Sequence, residues 1–291
     1  MPLPAILEAY RQRVEQGLRA ELTRLEAPER LREAMAYSLL AGGKRVRPIL
    51  ALASGELGAA SGDELLPAAC ALEFVHTYSL IHDDLPAMDD DDLRRGMPTS
   101  HRRFGEALAI LAGDALLTEA FGLVGRAARE PARGLRAALE LARAAGAGGM
   151  VGGQVLDTLE TGRAPAEPEV ERIHRLKTGA LLTAAVRVGA ILGGAEEPAL
   201  EHLTRYAERL GLAFQVADDL LDVVGEAQSL GKSAGKDRAM GKTTYADLLG
   251  QERGWAYAGR LAAEAAAELA PFGARADALR EMASFIVRRD C

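Results

Sequence analysis

The spacing of apolar residues predicts that this chain folds into helices and gives no support for a β-sheet. Apolar side chains that recur three and four residues apart lie on one face of an α-helix. The first such series is Leu3, Ile6, Leu7, Tyr10 and Val14. No segment shows the sustained apolar and polar alternation that a half-buried strand requires. Because proline and glycine divide the chain into segments of helical length, we predict a single all-α domain of about ten helices over residues 1–291.

The composition is that of a folded globular protein and excludes a general nucleic-acid binder. Hydrophobic residues make up 48% of the chain and charged residues 26%, which is enough for a sizeable core. Acidic residues outnumber Lys and Arg by 42 to 35, a formal net charge of −7, so no overall positive field attracts phosphates. An anionic substrate would need a local cluster of cations or metal ions.

The sequence predicts a soluble protein of the cytoplasm. Cys70 and Cys291 form neither a disulfide framework nor a zinc-binding spacing. The N-terminus lacks the basic region and long apolar core of a signal peptide. The longest apolar stretch, residues 179–195, carries Arg187 at its centre and falls short of the continuous apolar run of a membrane span.

The first of two acidic clusters, DDLPAMDDDD, begins at Asp83 and ends an apolar helical run. His76 lies seven residues earlier, so both side chains fall on one face of that helix. Pro86 has no amide hydrogen to donate and disfavours helical geometry at the residue before it. We therefore expect the helix to end near Asp84 and the chain to fold Asp89 back towards Asp83.

The second cluster, FQVADDLLD, occupies residues 214–222 without any helix-breaking residue. Asp218, Asp219 and Asp222 are expected to project from one side of a helix, with Gln215 one turn earlier. An acidic run is usually a solvated surface, but this one lies in an apolar segment that ought to be core. Carboxylates there repel each other and lose hydration unless cations compensate. Mg²⁺, which prefers oxygen ligands, is the natural compensation, and the spacing excludes an EF-hand.

Basic residues accompany both clusters. They are Lys44, Arg45 and Arg47 in a glycine-led turn, Arg94 with Arg95, Lys177 with Thr178 at the expected start of a helix, and Lys232, Lys236 and Lys242 in glycine-containing loops. Each group alone is typical of an ordinary loop or helix start. Together with the acids they predict a diphosphate bound both by Mg²⁺ and directly by Lys and Arg. No Walker pattern is present, so nucleotide hydrolysis is not expected.

Residues 78–96, YSLIHDDLPAMDDDDLRRG, resemble the first aspartate-rich motif of the short-chain trans-prenyl diphosphate synthases, and residues 214–222 resemble the second. The basic groups follow in the order and approximate spacing of that family, and bacterial farnesyl diphosphate synthases are the most similar members. The resemblance spans nearly the whole chain. It implies an isoprenoid synthase-like bundle around a central apolar cavity, and a homodimer.

The resemblance also implies roles for individual residues. Three Mg²⁺ ions would be held by Asp83, Asp84, Asp89, Asp218, Asp219 and Asp222. The allylic diphosphate would be contacted by Arg94, Lys177, Thr178, Gln215, Lys232 and Lys242, with Lys236 in the same loop. The metal-free site for isopentenyl diphosphate would be formed by Lys44, Arg47, His76 and Arg95. Catalysis would depend on Asp83, Asp84, Asp89, Arg94, Lys177 and Asp218.

The reaction that the resemblance implies joins isopentenyl diphosphate head-to-tail to dimethylallyl and then geranyl diphosphate, which gives farnesyl diphosphate (C15). Tyr78 lies about 7.5 Å below Asp83 along the helix, and the family associates an aromatic residue there with a C15 product. The alternative for Tyr78 is an ordinary core aromatic residue, and an isolated histidine such as His76 is more often a core residue than a ligand-binding one.

Three alternatives remain from the sequence. A geranylgeranyl diphosphate (C20) synthase would share every motif. A terpene cyclase would carry Ser or Thr at position 222, where this chain has Asp. A non-catalytic partner subunit would be expected to have lost acids or cations, and none is lost at the motif positions.

Overall fold

The computed structural model describes residues 2–58, 60–160, 165–228 and 243–288, and the regular secondary structure of these ranges is helical apart from one short hairpin. This confirms the predicted all-α fold. The α-helices of the described ranges are α1 (Ala5–Arg24), α2 (Glu29–Leu39), α3 (Val46–Gly55), α4 (Gly62–Asp83), α5 (Ser100–Phe104), α6 (Glu106–Arg126), α7 (Pro131–Ala145), α8 (Met150–Glu160), α9 (Glu167–His174), α10 (Ala180–Gly193), α11 (Glu197–Gln228), α12 (Tyr245–Glu268) and α13 (Asp277–Arg288). A 3₁₀ helix, Ala270–Ala276, precedes α13.

Helix α4 lies at the centre of the bundle and packs against α6, α3 and α1. A capping box between Ser61 and Glu64 begins it by satisfying the first free amides of the helix. Leu72 and Phe74 are fully buried, and burial of one such side chain contributes about 2 kcal/mol. The helix ends at Asp83, with Asp84 as its C-cap, as the sequence around Pro86 predicts.

Lys177 and Thr178 do not begin a new helix, which is a correction to the sequence-based expectation. They lie in a π-helical turn, Arg175–Gly179, that joins α9 directly to α10. A π turn inserts an extra residue into a helix, and such turns are frequent at functional sites. Helix α8 approaches this turn closely, because a Cβ atom on Gly153 would lie 2.2 Å from the backbone nitrogen of Lys177.

A two-stranded antiparallel hairpin follows the first acidic cluster, with β1 at Leu93–Arg94 and β2 at Met97–Pro98. The pattern of apolar residues did not predict it, because two-residue strands are too short to show alternation. The turn consists of Arg95 (φ 53°) and Gly96 (φ 76°), and positive φ at both central residues is the geometry of a tight hairpin turn.

Two helical stretches, Glu106–Arg126 and Glu167–Gly193, are long and apolar enough to cross a membrane by length and composition. The second is longer than the apolar stretch recognised in the sequence, because the π turn makes the helix continuous. Buried residues make up 39% of the most apolar window of the first and 67% of that of the second. Core helices of bundles have the same properties, so the described residues show no clear membrane span.

Candidate functional site

A cavity of about 510 Å³ lies between α4, α8, the π turn and α11, and we call it the central cavity. Its wall brings together predicted site residues from four separate parts of the chain. These are Arg47, His76, Tyr78, Asp83, Lys177, Thr178, Gln215 and Asp218. The remainder of the wall is mainly apolar and includes Met150, Val151, Val155 and Phe214. The cavity therefore combines charged groups with an apolar lining, as the family resemblance implies.

Asp83 lies at the last position of α4, and Asp218 lies in α11; both line the central cavity. Burial, together with the charges of Asp89 and Asp84, raises the pKa of Asp83 to about 6, although Lys177 opposes the shift. Carboxylates in such a place need cations to remain ionised. Carboxylate oxygens are the ligands that Mg²⁺ prefers. Asp83 and Asp218 are the two predicted metal-binding aspartates that line the cavity and could bind Mg²⁺ there.

The chain reverses direction directly after α4, as the sequence predicts. The amide of Asp89 donates a hydrogen bond to the carbonyl of Asp83 at 2.8 Å, and the amide of Asp91 donates to the carbonyl of Asp84 at 3.2 Å. Asp90 adopts φ 48° within this turn. The turn returns the backbone of Asp89 to the end of α4, beside the Asp83 carbonyl.

Asp84 and Asp219, which follow Asp83 and Asp218 in the sequence, are buried in the protein and do not line the central cavity. Asp84, which is 3% exposed, accepts hydrogen bonds from Arg94 Nε at 2.7 Å and Nη2 at 2.6 Å. Asp219, which is 5% exposed, accepts from the amide of Tyr245 at 2.8 Å and from Gln215 Nε2 at 3.3 Å. Consecutive residues of a helix point about 100° apart, which separates these carboxylates from the ones that face the cavity. Asp222 is exposed and is not part of the cavity wall.

Lys177 is positioned by a residue absent from the predicted set. Its ammonium group donates to Asp157 Oδ2 at 2.7 Å, and Asp157 lies in α8, one turn after cavity-lining Gln154. The sequence signal that could have found this contact is the three-residue step from Gln154 to Asp157, which places both side chains on one face of a helix. Gly153 in the same helix is explained by its close approach to the π turn.

His76, seven residues before Asp83 in α4, and Arg47 in α3 both line the central cavity. Burial lowers the pKa of His76 well below 6.5, and the positive charges of Arg47 and Arg95 lower it further, so this imidazole is neutral at pH 7. The Nε atom of Arg47 is buried and has no hydrogen-bond partner in the described part of the chain. A buried donor without a partner is costly, and an anionic ligand would satisfy it.

Arg45, the middle cation of the glycine-led turn, is structural. It adopts a left-handed conformation, φ 52°, at the N-cap of α3, and its side chain is buried. It donates to Glu15 at 2.8 Å, to Glu73 at 2.6 Å and to the carbonyl of Leu39 at 2.8 Å. The charge of Glu73 also raises the pKa of Arg47 against the lowering effect of burial. The network thus supports the backbone from which Arg47 projects.

Two predicted acceptor-site residues lie outside the cavity wall. The ammonium group of Lys44 lies over the ring of Phe285 in α13, 5.5 Å from its centroid. Arg95 Nη1 donates to the carbonyl of Gly42, which ties the hairpin to the glycine-led turn. Lys232, Lys236 and Lys242 lie outside the described residues. Within the described ranges, no three His, Cys, Asp or Glu residues are grouped closely enough to hold a metal ion by themselves.

Comparison with known proteins gives matches over most of the chain. The polyprenyl synthetase family model matches residues 28–256. A farnesyl diphosphate synthase of Geobacillus stearothermophilus is 50% identical over 246 residues, covering 84% of this chain and 83% of that protein. Geranylgeranyl pyrophosphate synthase 11, chloroplastic, of Arabidopsis thaliana is 51% identical over 274 residues, covering 91% and 76%. The crystal structure of an FPP/GFPP synthase from Zymomonas mobilis matches with a TM-score of 0.86 and 40% identity, covering 97% of each chain.

Proposed function

The chain belongs to the polyprenyl synthetase family and is a short-chain trans-prenyl diphosphate synthase, and from this premise we propose that its product is farnesyl diphosphate (C15). The relatives include synthases of both C15 and C20 products, so the product length depends on the cavity itself. The observation that carries the proposal is the ring of Tyr78, which lines the central cavity five residues before Asp83 and is 6% exposed. A ring at this depth limits the length of the chain that the cavity accepts.

The acidic end of the cavity would bind the allylic diphosphate. Asp83 and Asp218 present carboxylate oxygens, which fit Mg²⁺, and Lys177 supplies a positive charge beside them. In this proposal three Mg²⁺ ions, when bound, neutralise the negative charge that develops on the departing diphosphate. Lys177 and Thr178 of the π turn and Gln215, one turn before Asp218 in α11, bind and orient the same group. Because that charge grows as the carbon–oxygen bond breaks, these interactions favour the transition state over the ground state.

The acceptor, isopentenyl diphosphate, would bind at the Arg47 end without metal. The Nε atom of Arg47, which has no partner in the described part of the chain, donates a hydrogen bond to the diphosphate. Neutral His76 can donate a second hydrogen bond without adding positive charge. Metal-free binding orients the acceptor but does not promote loss of its own diphosphate. The double bond then attacks the allylic cation between the two ends, and the released diphosphate accepts the departing proton. The apolar wall excludes water, which would otherwise capture the cation.

A homodimer is also part of the proposal. Ten large apolar side chains are exposed in the described part of the chain, and five of them lie on the consecutive helices α6, α7 and α8 outside the cavity wall. They are Ile110, Leu111, Leu135, Leu139 and Leu159. Exposed apolar patches of this kind typically mark protein interfaces. Most soluble oligomers consist of identical chains, and the two-fold symmetric dimer is the commonest of them.

The proposed product is tested by sizing what the purified chain makes. The protein is incubated with Mg²⁺, isopentenyl diphosphate and either dimethylallyl or geranyl diphosphate, and the products are dephosphorylated and separated by chromatography. We expect farnesol as the main alcohol with both substrates and no elongation when EDTA removes the metal. Geranylgeraniol as the main product would refute the C15 assignment and support the C20 alternative. A hydrocarbon released without phosphatase treatment would indicate a cyclase, and a complete lack of elongation would indicate a non-catalytic subunit.

A further inference from the structure

The ring of Tyr78 rests on a second ring. His82, one turn further along α4, lies edge-to-face with Tyr78, with 5.7 Å between the ring centroids and 82° between the planes. Both side chains line the central cavity. We propose that His82, in the space that Gly113 leaves for it, is a positioning residue that fixes Tyr78 and so helps to set product length. This inference rests on the proposed chain elongation in this cavity.

His82 is held from the neighbouring helix. Its Nε2 lies 3.1 Å from the carbonyl oxygen of Ile110 in α6. Because a carbonyl oxygen only accepts hydrogen bonds, Nε2 carries the hydrogen and donates it. Asp114 Oδ1 lies 4.0 Å from the same nitrogen. The imidazole is therefore attached to α6 at one edge while its face meets Tyr78, so the position of the Tyr78 ring depends on the position of α6.

Gly113 provides the room in which the imidazole lies. A Cβ atom at this position would lie 2.2 Å from His82 Nε2 and 2.6 Å from its Cδ2, much closer than atoms can pack. A methyl group on α6 would have to push the ring away from α6, towards Tyr78 and the cavity. The same helix contains Gly122, where an added Cβ would meet nothing within 4 Å. The two glycines therefore form a matched pair for the same substitution.

The arrangement predicts changes of opposite sign. Removal of the imidazole leaves Tyr78 without its aromatic partner and enlarges the space behind it, so longer chains should fit. A methyl group on Gly113 should drive the imidazole inward and make the cavity shorter. Since that methyl group acts only through the imidazole, it should have little effect once His82 is replaced by alanine. If His82 and Gly113 were only core packing residues, each substitution would lower stability, but the effect of Gly113→Ala on product length would not depend on His82.

The experiment compares product lengths from His82→Ala, His82→Gln, Gly113→Ala, the double variant His82→Ala/Gly113→Ala and the control Gly122→Ala. Each is assayed with geranyl diphosphate, isopentenyl diphosphate and Mg²⁺, and thermal unfolding is recorded for each. We expect the ratio of C20 to C15 product to rise at least fivefold in both His82 variants. With dimethylallyl diphosphate, Gly113→Ala should raise the share of C10 product at least fivefold. Gly122→Ala should match the wild type.

The double variant decides whether the two residues act as a unit. Its products should match those of His82→Ala within twofold. His82→Gln keeps a side-chain donor for the Ile110 carbonyl but removes the ring, so it gives a second measurement if His82→Ala does not fold. Product profiles equal to the wild type in the folded His82 variants, or a full Gly113→Ala effect in the double variant, would overturn the inference.

The outcome is separable from that for the proposed function. A wild-type enzyme that makes C20 refutes the C15 product, while the same shifts relative to that enzyme would still support the role of His82. A wild-type enzyme that makes C15, with unchanged His82 and Gly113 variants, refutes only the inference. A wild-type protein that elongates nothing refutes both.

Discussion

Asp83 at the end of α4 and Asp218 in α11 line one cavity, although 135 residues separate them in the sequence. Their immediate neighbours, Asp84 and Asp219, are buried and bonded within the protein. In each Asp-Asp pair, the first carboxylate lines the cavity and the second forms hydrogen bonds that stabilise the surrounding structure. This division is the basis of the predictions for the acidic clusters.

The ion pair between buried Asp84 and partly exposed Arg94 gives a prediction for stability. Replacement of Arg94 by alanine leaves the Asp84 carboxylate buried without its cation, and we expect the free energy of unfolding to fall by about 2 kcal/mol. The matched control is Arg102→Ala, because Arg102 pairs with an exposed carboxylate, Asp92, and such pairs contribute less than about 1 kcal/mol. Urea denaturation measures both. Equal losses in the two variants would contradict the buried role of Asp84.

Tyr78 gives a prediction for product length. Replacement by alanine removes the ring from the cavity wall, and the main product should lengthen from C15 to C20 or beyond. Ser79→Ala is the control, because Ser79 lines the same cavity but its hydroxyl bonds to the carbonyl of His76. Chromatography of the dephosphorylated products distinguishes the outcomes, and a C15 profile unchanged by Tyr78→Ala would remove Tyr78 from the account.

The pKa of Asp83, about 6, gives a prediction for the metal requirement. A carboxyl group must lose its proton to bind Mg²⁺. Below pH 6 Asp83 is mostly protonated, so the Mg²⁺ concentration for half-maximal activity should rise steeply, by up to about tenfold per pH unit. Above pH 7 it should be constant. Initial rates at varied Mg²⁺ between pH 5.5 and 8 measure it, and a half-saturating concentration that does not change with pH would contradict the prediction.

The exposed apolar residues of α6 and α7 give a prediction for assembly. The chain has a mass of 30.8 kDa, and light scattering should report about twice that value for the wild type. Leu111→Asp and Leu135→Asp should each lower the apparent mass towards the monomer, because a charge in a dry interface is costly. Ile6→Asp is the control, since Ile6 is also exposed but lies on α1. A wild-type mass of 30.8 kDa would exclude the dimer.

Much of the site could be predicted from local sequence rules. The end of α4 near Asp84 and the return of the chain at Asp89 follow from Pro86, because proline disfavours continued helix in the residue before it. The presence of acids in an apolar segment predicted a site at Asp218 that cations such as Mg²⁺ compensate, whereas the cavity itself was implied by the family resemblance. In both cases the information lies within a few residues of the feature that it predicts.

The remainder depends on tertiary contacts that no local rule contains. Periodicity placed Asp218 and Asp219 together on one side of a helix, but the backbone amide of Tyr245 captures Asp219. Lys44 lies on the ring of Phe285, 241 residues later. The π turn that contains Lys177 packs closely against a neighbouring helix at Gly153, a contact that its own sequence, which resembles a helix start, does not contain.

The central claim is that Asp83 and Asp218 act together, from facing walls, to hold the Mg²⁺ that promotes loss of diphosphate. The most direct measurement is the rate of elongation of geranyl diphosphate at saturating Mg²⁺ by Asp83→Asn and Asp218→Asn, with exposed Asp92→Asn as the control. We predict that each of the first two lowers kcat at least about 100-fold, which corresponds to about 2.7 kcal/mol of transition-state stabilisation, while the control stays within twofold of the wild type. A rate within twofold of the wild type for either Asp83→Asn or Asp218→Asn would contradict the claim.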